Sequence, residues 1–250
     1  RAPHQAPALS SRLRDLGARV TEVPVIVLAS PADGGVALAR AADGASRGAF
    51  GWVVFTSANA VERFFAFVPD TRALATTKVA AVGPATAAAL ARYRVVPDLV
   101  PAATRAQGVL AEFAKLGERA EDVHPAPARV LLPQAAGAQP ELAHGLRRLG
   151  WEVEVCEAYR TQNHPVGRDL LVAASRADAI CFASPSSVRA YIEQVRAVPG
   201  ASVPALVACI GPVTAEAARA CGLSVGVEAD EQSVAGLADA LVSAWPARRR

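Results

Sequence analysis

The chain has 250 residues, enough for one large α/β domain or two small ones. Hydrophobic residues make up 52% and charged residues 20%, which excludes a disordered chain and allows a sizeable core. With 26 basic and 23 acidic residues the net charge is +3, too weak a bias for nucleic-acid binding, and no apolar run is as long as a membrane span.

In chain order, residues 9–17 (LSSRLRDLG) have apolar i, i+4 spacing and a closing glycine, which predicts a helix with a C-cap. A strand follows over Val20–Leu28, with Val23–Ala29 leaving the first lobe, and Pro31–Phe50 reads as a polar connector. Residues 52–61 (WVVFTSANAV) read as a buried strand, a small polar turn and a helix start. Residues 79–90 (VAAVGPATAAAL) repeat that order with Gly-Pro-x-Thr as the turn, and Val95–Val100 reads as a short strand. A helix opens at Thr104–Leu110, Glu118–Pro127 is expected to be a surface loop, and Arg129–Pro133 to be a strand. Residues 142–150 (LAHGLRRLG) match the first helix, and Trp151–Tyr159 is the strand after it. Cys156–Thr161 leaves the middle of the chain, and Asn163–Arg176 reads as a second connector. Then 179–188 (AICFASPSSV), 207–218 (VACIGPVTAEAA), a strand over Leu223–Val227 and a helix opening at Asp230–Leu237 repeat the earlier unit. The tail Arg248–Arg250 reads as a solvated end.

Phe55 thus pairs with Phe182, Gly83 with Gly211 and Leu110 with Leu237, so the chain carries two copies of one β-α-β-α-β-α unit. Strands alternating with helices imply parallel sheets covered on both faces. Val23–Ala29 and the segment at Cys156–Thr161 are expected to cross between lobes. One lobe is then residues 1–22 with 165–250, the other is 30–156, and 23–29 and 157–164 are the linker strands. Only the second early helix is preceded by a strand, and the sequence holds no methionine, so the natural start is expected to lie upstream of Arg1.

Four strand ends carry small polar turns: Thr56–Asn59, Gly83–Thr86, Ser184–Ser187 and Gly211–Thr214. Ser, Thr and Asn are ordinary helix N-caps whatever the function. Ligands of open parallel sheets bind beyond the strand ends, however, and free N–H groups at helix starts attract anions. Each turn alone reads as a cap; four together point to an anion-binding cleft. Dinucleotide, P-loop and nucleophile-elbow motifs are missing. Cys156, Cys181, Cys209 and Cys221 show no ligand spacing, and His4, His124, His144 and His164 read as surface residues, so no metal is expected. The unpaired cysteines fit a cytoplasmic setting.

These segments in this order, with ARVLLPQA and LRRLGWEVEVCEAYRT between them, resemble the uroporphyrinogen-III synthases across nearly the whole chain. The approach Ala126–Pro133 is most similar to actinobacterial members, some of which are fused to a methyltransferase. The resemblance implies two flavodoxin-like α/β lobes, a two-stranded linker and a cleft between the lobes. It implies dehydration and cyclisation of the linear tetrapyrrole hydroxymethylbilane, with inversion of ring D through a spiro intermediate and without a cofactor. Tyr159 matches the family tyrosine that protonates the departing hydroxyl. Substrate carboxylates are expected at the turns, near Thr56, Ser57, Asn59, Gly83, Thr86, Ser184, Ser186, Ser187, Gly211 and Thr214. Arg1 matches an arginine at the end of the family's first strand. Ala58 and Ala183 depart from the residues many relatives carry. The expected protein is a cytoplasmic monomer working after hydroxymethylbilane synthase or fused to a methyltransferase. A two-lobed sensor of an anionic small molecule on the same scaffold is the alternative.

Overall fold

The computed structural model describes residues 6–103, 105–120 and 129–245. The backbone divides into two units. One holds the chain up to Leu28 and from Thr161 onward; the other is Ala29–Arg160.

A five-stranded sheet has the order β1 (Ile26–Ala29), β5 (Glu152–Asn163), β4 (Arg129–Ala135), β2 (Trp52–Phe55) and β3 (Lys78–Ala81); β2, β3, β4 and β5 up to Arg160 belong to the middle unit, whereas β1 up to Leu28 belongs to the terminal unit. β2 is parallel to β3 and β4, and β4 to β5. Val53, Val54 and Phe55 are fully buried, because helices cover both faces and a central parallel strand must be apolar on both. On one face Trp52 and Val54 pack with α5 (Ala106–Ala120) and α6 (Glu141–Arg148), where the Phe113 ring lies 5.1 Å from both Trp52 and Trp151. On the other, Phe55 meets Phe64 of α3 (Ala58–Phe65) at 5.2 Å, and Tyr93, after α4 (Pro84–Ala91), stacks on Phe65.

The terminal unit has three parallel strands in the order β6 (Ala179–Phe182), β7 (Leu206–Cys209) and β8 (Val227–Glu228). One core gathers Phe182, Val207 and Cys209 with Leu171 of α7 (Arg168–Ala174), Tyr191 and Ile192 of α8 (Pro185–Ala197), and Ala215 of α9 (Pro212–Ala220). The other joins Leu13 of α1 (Ala6–Asp15) to Ala208 and to Leu237 and Leu241 of α10 (Val234–Ala244). The parallel α/β class read from the sequence is the one observed.

Several local expectations are corrected. The stretch Pro31–Phe50 contains α2 (Val36–Ser46), whose buried Leu38, Ala41, Ala42 and Ala45 lie at i, i+3, i+4 and i+7. The connector Asn163–Arg176 contains α7, anchored by the fully buried Leu171. Neighbouring glycine, arginine and polar residues hid both helices: the alanines of α2 carry a weak apolar signal, and α7 is only 7 residues long. The first strand begins only at Ile26, because Val25 N–H turns back to the Val23 carbonyl across Pro24. β5, by contrast, runs four residues past Tyr159. Val95–Val100 forms one bridge, Leu99 to Ala80, and the final strand shrinks to Val227–Glu228. Glu118–Ala120 finish α5, and 121–128 lie outside the described residues, as do Arg1, His4, His124 and Arg248–Arg250.

Candidate functional site

Each strand-end turn is set by its capping chemistry. Ser57 is extended (φ −156°) and its Oγ accepts from Ala60 N–H at 3.2 Å, satisfying a donor that α3 leaves free. Ser184 does the same for α8 by accepting from Ser187 N–H at 3.2 Å. Gly83 and Gly211 cap α4 and α9 without a side chain, and Pro84 and Pro212 occupy the first helical positions, where no N–H is missed. In the middle unit Val82 N–H donates to the Phe55 carbonyl at 3.0 Å; in the terminal unit Ile210 N–H donates to the Phe182 carbonyl at 3.0 Å. The turns are therefore neighbours in pairs, Thr56–Asn59 beside Gly83–Thr86 and Ser184–Ser187 beside Gly211–Thr214.

The expected residues differ in what they can offer. Thr56, Ser57, Asn59, Gly83, Ser184 and Ser186 are half-buried. Thr86, Ser187, Gly211 and Thr214 are buried. Ser184 Oγ lies 3.1 Å from Ser186 Oγ and donates to Ser187 Oγ, which donates to the Ser184 carbonyl at 2.7 Å. The Gln232 side chain lies so close to Gly211 that a Cβ there would meet it at 2.7 Å. Arg1 falls outside the described residues.

Tyr159 lies in the middle unit, on β5, where the register against β4 slips: Gln134 faces Glu157 but Ala135 faces Tyr159. The extra residue, Ala158, is a β-bulge, and bulges re-aim the side chain that follows. Ala136 N–H donates to the Tyr159 carbonyl at 2.8 Å and locks the far side of the bulge. Tyr159 is 8% exposed, and its phenol oxygen lies 3.2 Å from Ser57 Oγ.

Charged groups beside this tyrosine were missed in the sequence. Glu157 accepts from Ala32 N–H at 3.0 Å and pairs with Arg160, whose Nη2 donates at 3.2 Å; the Arg160 bond is the main reason its carboxyl is held below the usual range. Asp33 accepts from Ala37 N–H at 2.7 Å and Gly35 N–H at 2.9 Å, and these bonds lower its pKa. The available signal was Asp33 before two glycines, a helix-start pattern. Burial, with Glu154 and Asp33 adding to it, pushes the Cys156 thiol up to about 12, so it stays protonated at neutral pH. Among the described residues no group of three metal-capable side chains is assembled, and no helix is long and apolar enough to cross a membrane.

Residues 7–239 match the family model described as Uroporphyrinogen-III synthase HemD. The chain is 28% identical over 244 residues to the porphyrin biosynthesis protein HemD of Ruminiclostridium josui, a match covering 94% of this chain and 45% of that protein. It thus spans about half the length of that relative. Its fold is similar to that of a mutant uroporphyrinogen III synthase from Thermus thermophilus (TM-score 0.60, 17% identity, 96% of this chain and 95% of that one). It is similar also to the uroporphyrinogen-III synthetase of Helicobacter pylori (TM-score 0.60, 16% identity, 91% and 95%).

Proposed function

Because the chain belongs to the uroporphyrinogen-III synthase family, we propose that it dehydrates and cyclises hydroxymethylbilane to uroporphyrinogen III. Tyr159 gives its proton to the departing hydroxyl, the C–O bond breaks and water leaves. The resulting azafulvene is attacked by the substituted carbon of ring D, and the spiro intermediate rearranges to close the ring with D inverted. The proton lost from carbon at closure restores the phenol, so the balance is the loss of one water. The substrate carboxylates are held by the backbone N–H groups of the strand-end turns. This chemistry calls for no cofactor. The substrate is supplied by a reaction that assembles the linear tetrapyrrole, and the chain works in the cytoplasm as a monomer.

The observation that carries this proposal is the Tyr159 phenol, aimed by a bulge and placed 3.2 Å from Ser57 Oγ at the carboxyl end of β2. A positioned acid beside anion-friendly helix starts suits a reaction that expels hydroxide from a polycarboxylate. The decisive test supplies enzymatically generated hydroxymethylbilane, oxidises the product and separates the isomers. The type III isomer is expected. Type I alone, the spontaneous product, would leave the chain as a binding module. Tyr159→Phe is expected to lower kcat about a hundredfold; an unchanged kcat would remove Tyr159 from the acid role.

A further inference from the structure

We propose that Ser57 is a positioning residue for this reaction: its hydroxyl donates to the Tyr159 phenol oxygen and leaves the phenol proton free for the substrate. The inference rests on the acid role proposed for Tyr159 and adds the group that makes that acid usable.

The argument counts protons. Ser57 Oγ already accepts from Ala60 N–H at 3.2 Å, which orients the hydroxyl. Its own proton can reach the Tyr159 oxygen, 3.2 Å away. The phenol has one proton. Were that proton directed at Ser57, it would be occupied in a protein hydrogen bond when the substrate arrives. With serine as donor, both requirements are met: the serine proton is used and the tyrosine proton points outward. As Tyr159 gives up its proton, the same hydroxyl faces a developing phenolate, and a hydrogen bond to a charged group is stronger than a neutral one. The first turn of α3, which Ser57 caps, adds positive potential on the same side. The serine thus interacts more strongly with the transition state than with the resting enzyme, the condition for raising kcat.

The terminal unit shows that this is not a property of the turn itself. Ser184 caps α8 as Ser57 caps α3, yet its hydroxyl partners are Ser186 and Ser187. Capping therefore requires no tyrosine, and the Ser57–Tyr159 contact is a separate feature of the middle unit.

The test is a cycle of Ser57→Ala, Tyr159→Phe and the double variant, with Ser57→Thr as rescue. Ser57→Gly is included because glycine caps a helix nearly as well but has no hydroxyl. Ser57→Ala and Ser57→Gly are expected to lower kcat about tenfold with little change in KM. The basic limb of their pH profile should move to higher pH, because the phenolate has lost its donor. Threonine should restore both, and on the Tyr159→Phe background removal of the hydroxyl should have almost no further effect. Additive losses in the cycle, or a rise in KM alone, would overturn the inference. Substrate-free titration of ζ-13C tyrosine gives a readout independent of the acid role, since only Tyr93, Tyr159 and Tyr191 report. The Tyr159 resonance should titrate at higher pH in Ser57→Gly than in the parent. An unmoved titration sinks the positioning role even if Tyr159→Phe is slow, whereas a moved titration with a fast Tyr159→Phe sinks only the acid role.

Discussion

The two copies of the strand-turn-helix unit share a backbone and differ where single residues change what the backbone can bond to. In the terminal unit Ala229 N–H donates to the Cys209 carbonyl at 3.0 Å and extends the β7–β8 ladder. The equivalent position in the middle unit is Pro101, which has no N–H, so the chain beside β3 makes a single bridge at Leu99. Asp98 takes over part of the edge, its carboxylate accepting from Val79 N–H at 2.8 Å. The last helices keep a shared constraint. A Cβ on Gly108 would meet the Ala103 carbonyl oxygen at 1.9 Å, and one on Gly236 would meet that of Glu231 at 2.2 Å. These glycines also set the true register: Val109, not Leu110, is the partner of Leu237, and both are fully buried. Elsewhere the copies part. Gly145 lets Leu110 pack onto α6, whereas its counterpart on α1, Arg12, pairs at 3.1 Å with Asp239 of α10. Duplication therefore preserves the frame, and the Ser57–Tyr159 contact is a local addition to one copy.

That comparison can be broken most forcefully at the paired glycines. Gly108→Ala and Gly236→Ala should each destabilise by about 1–3 kcal/mol, because the obstacle is a backbone carbonyl that cannot rotate away. Urea midpoints should fall for both; a loss in one copy alone would show that the constraint is not shared.

A smaller effect is expected at the sheet edges. Ala229→Pro should cost about 1 kcal/mol by deleting a ladder hydrogen bond, read in the same unfolding experiment. Pro101→Ala restores a donor opposite the Ala81 carbonyl. Hydrogen exchange should then find a protected amide at position 101, and rapid exchange there would mean that the proline is not what ends the ladder.

The smallest effect should appear in acid. Both α2 and α7 have a glycine N-cap without a side-chain cap bond, but the Asp33 carboxylate accepts from Gly35 N–H and Ala37 N–H at the start of α2. The folded Asp33 and Glu157 carboxyls have lowered pKa values, so the unfolded chain binds more protons and stability rises with pH. Their contribution is present above the ordinary carboxylate range near 4 and is lost as pH falls through the lower folded values. Asp33→Ala should therefore flatten the acid limb of stability measured by urea unfolding, and an unchanged limb would remove Asp33 from it.

The sequence by itself determined the strand-turn-helix units, their duplication and the turn chemistry. Buried parallel strands must be apolar, and serine, glycine and proline act on helix starts through bonds a few residues long. Ser57, Ser184, Pro84 and Pro212 are accordingly found in the roles their neighbours dictate. The alanine-rich stripe of α2 was beyond its reach, because alanine becomes a core residue only when another element arrives to bury it. Tertiary structure alone decided that a bulge after Gln134 turns Tyr159 toward a serine 102 positions earlier. Such a contact depends on strand order and register, which no local pattern around either residue encodes.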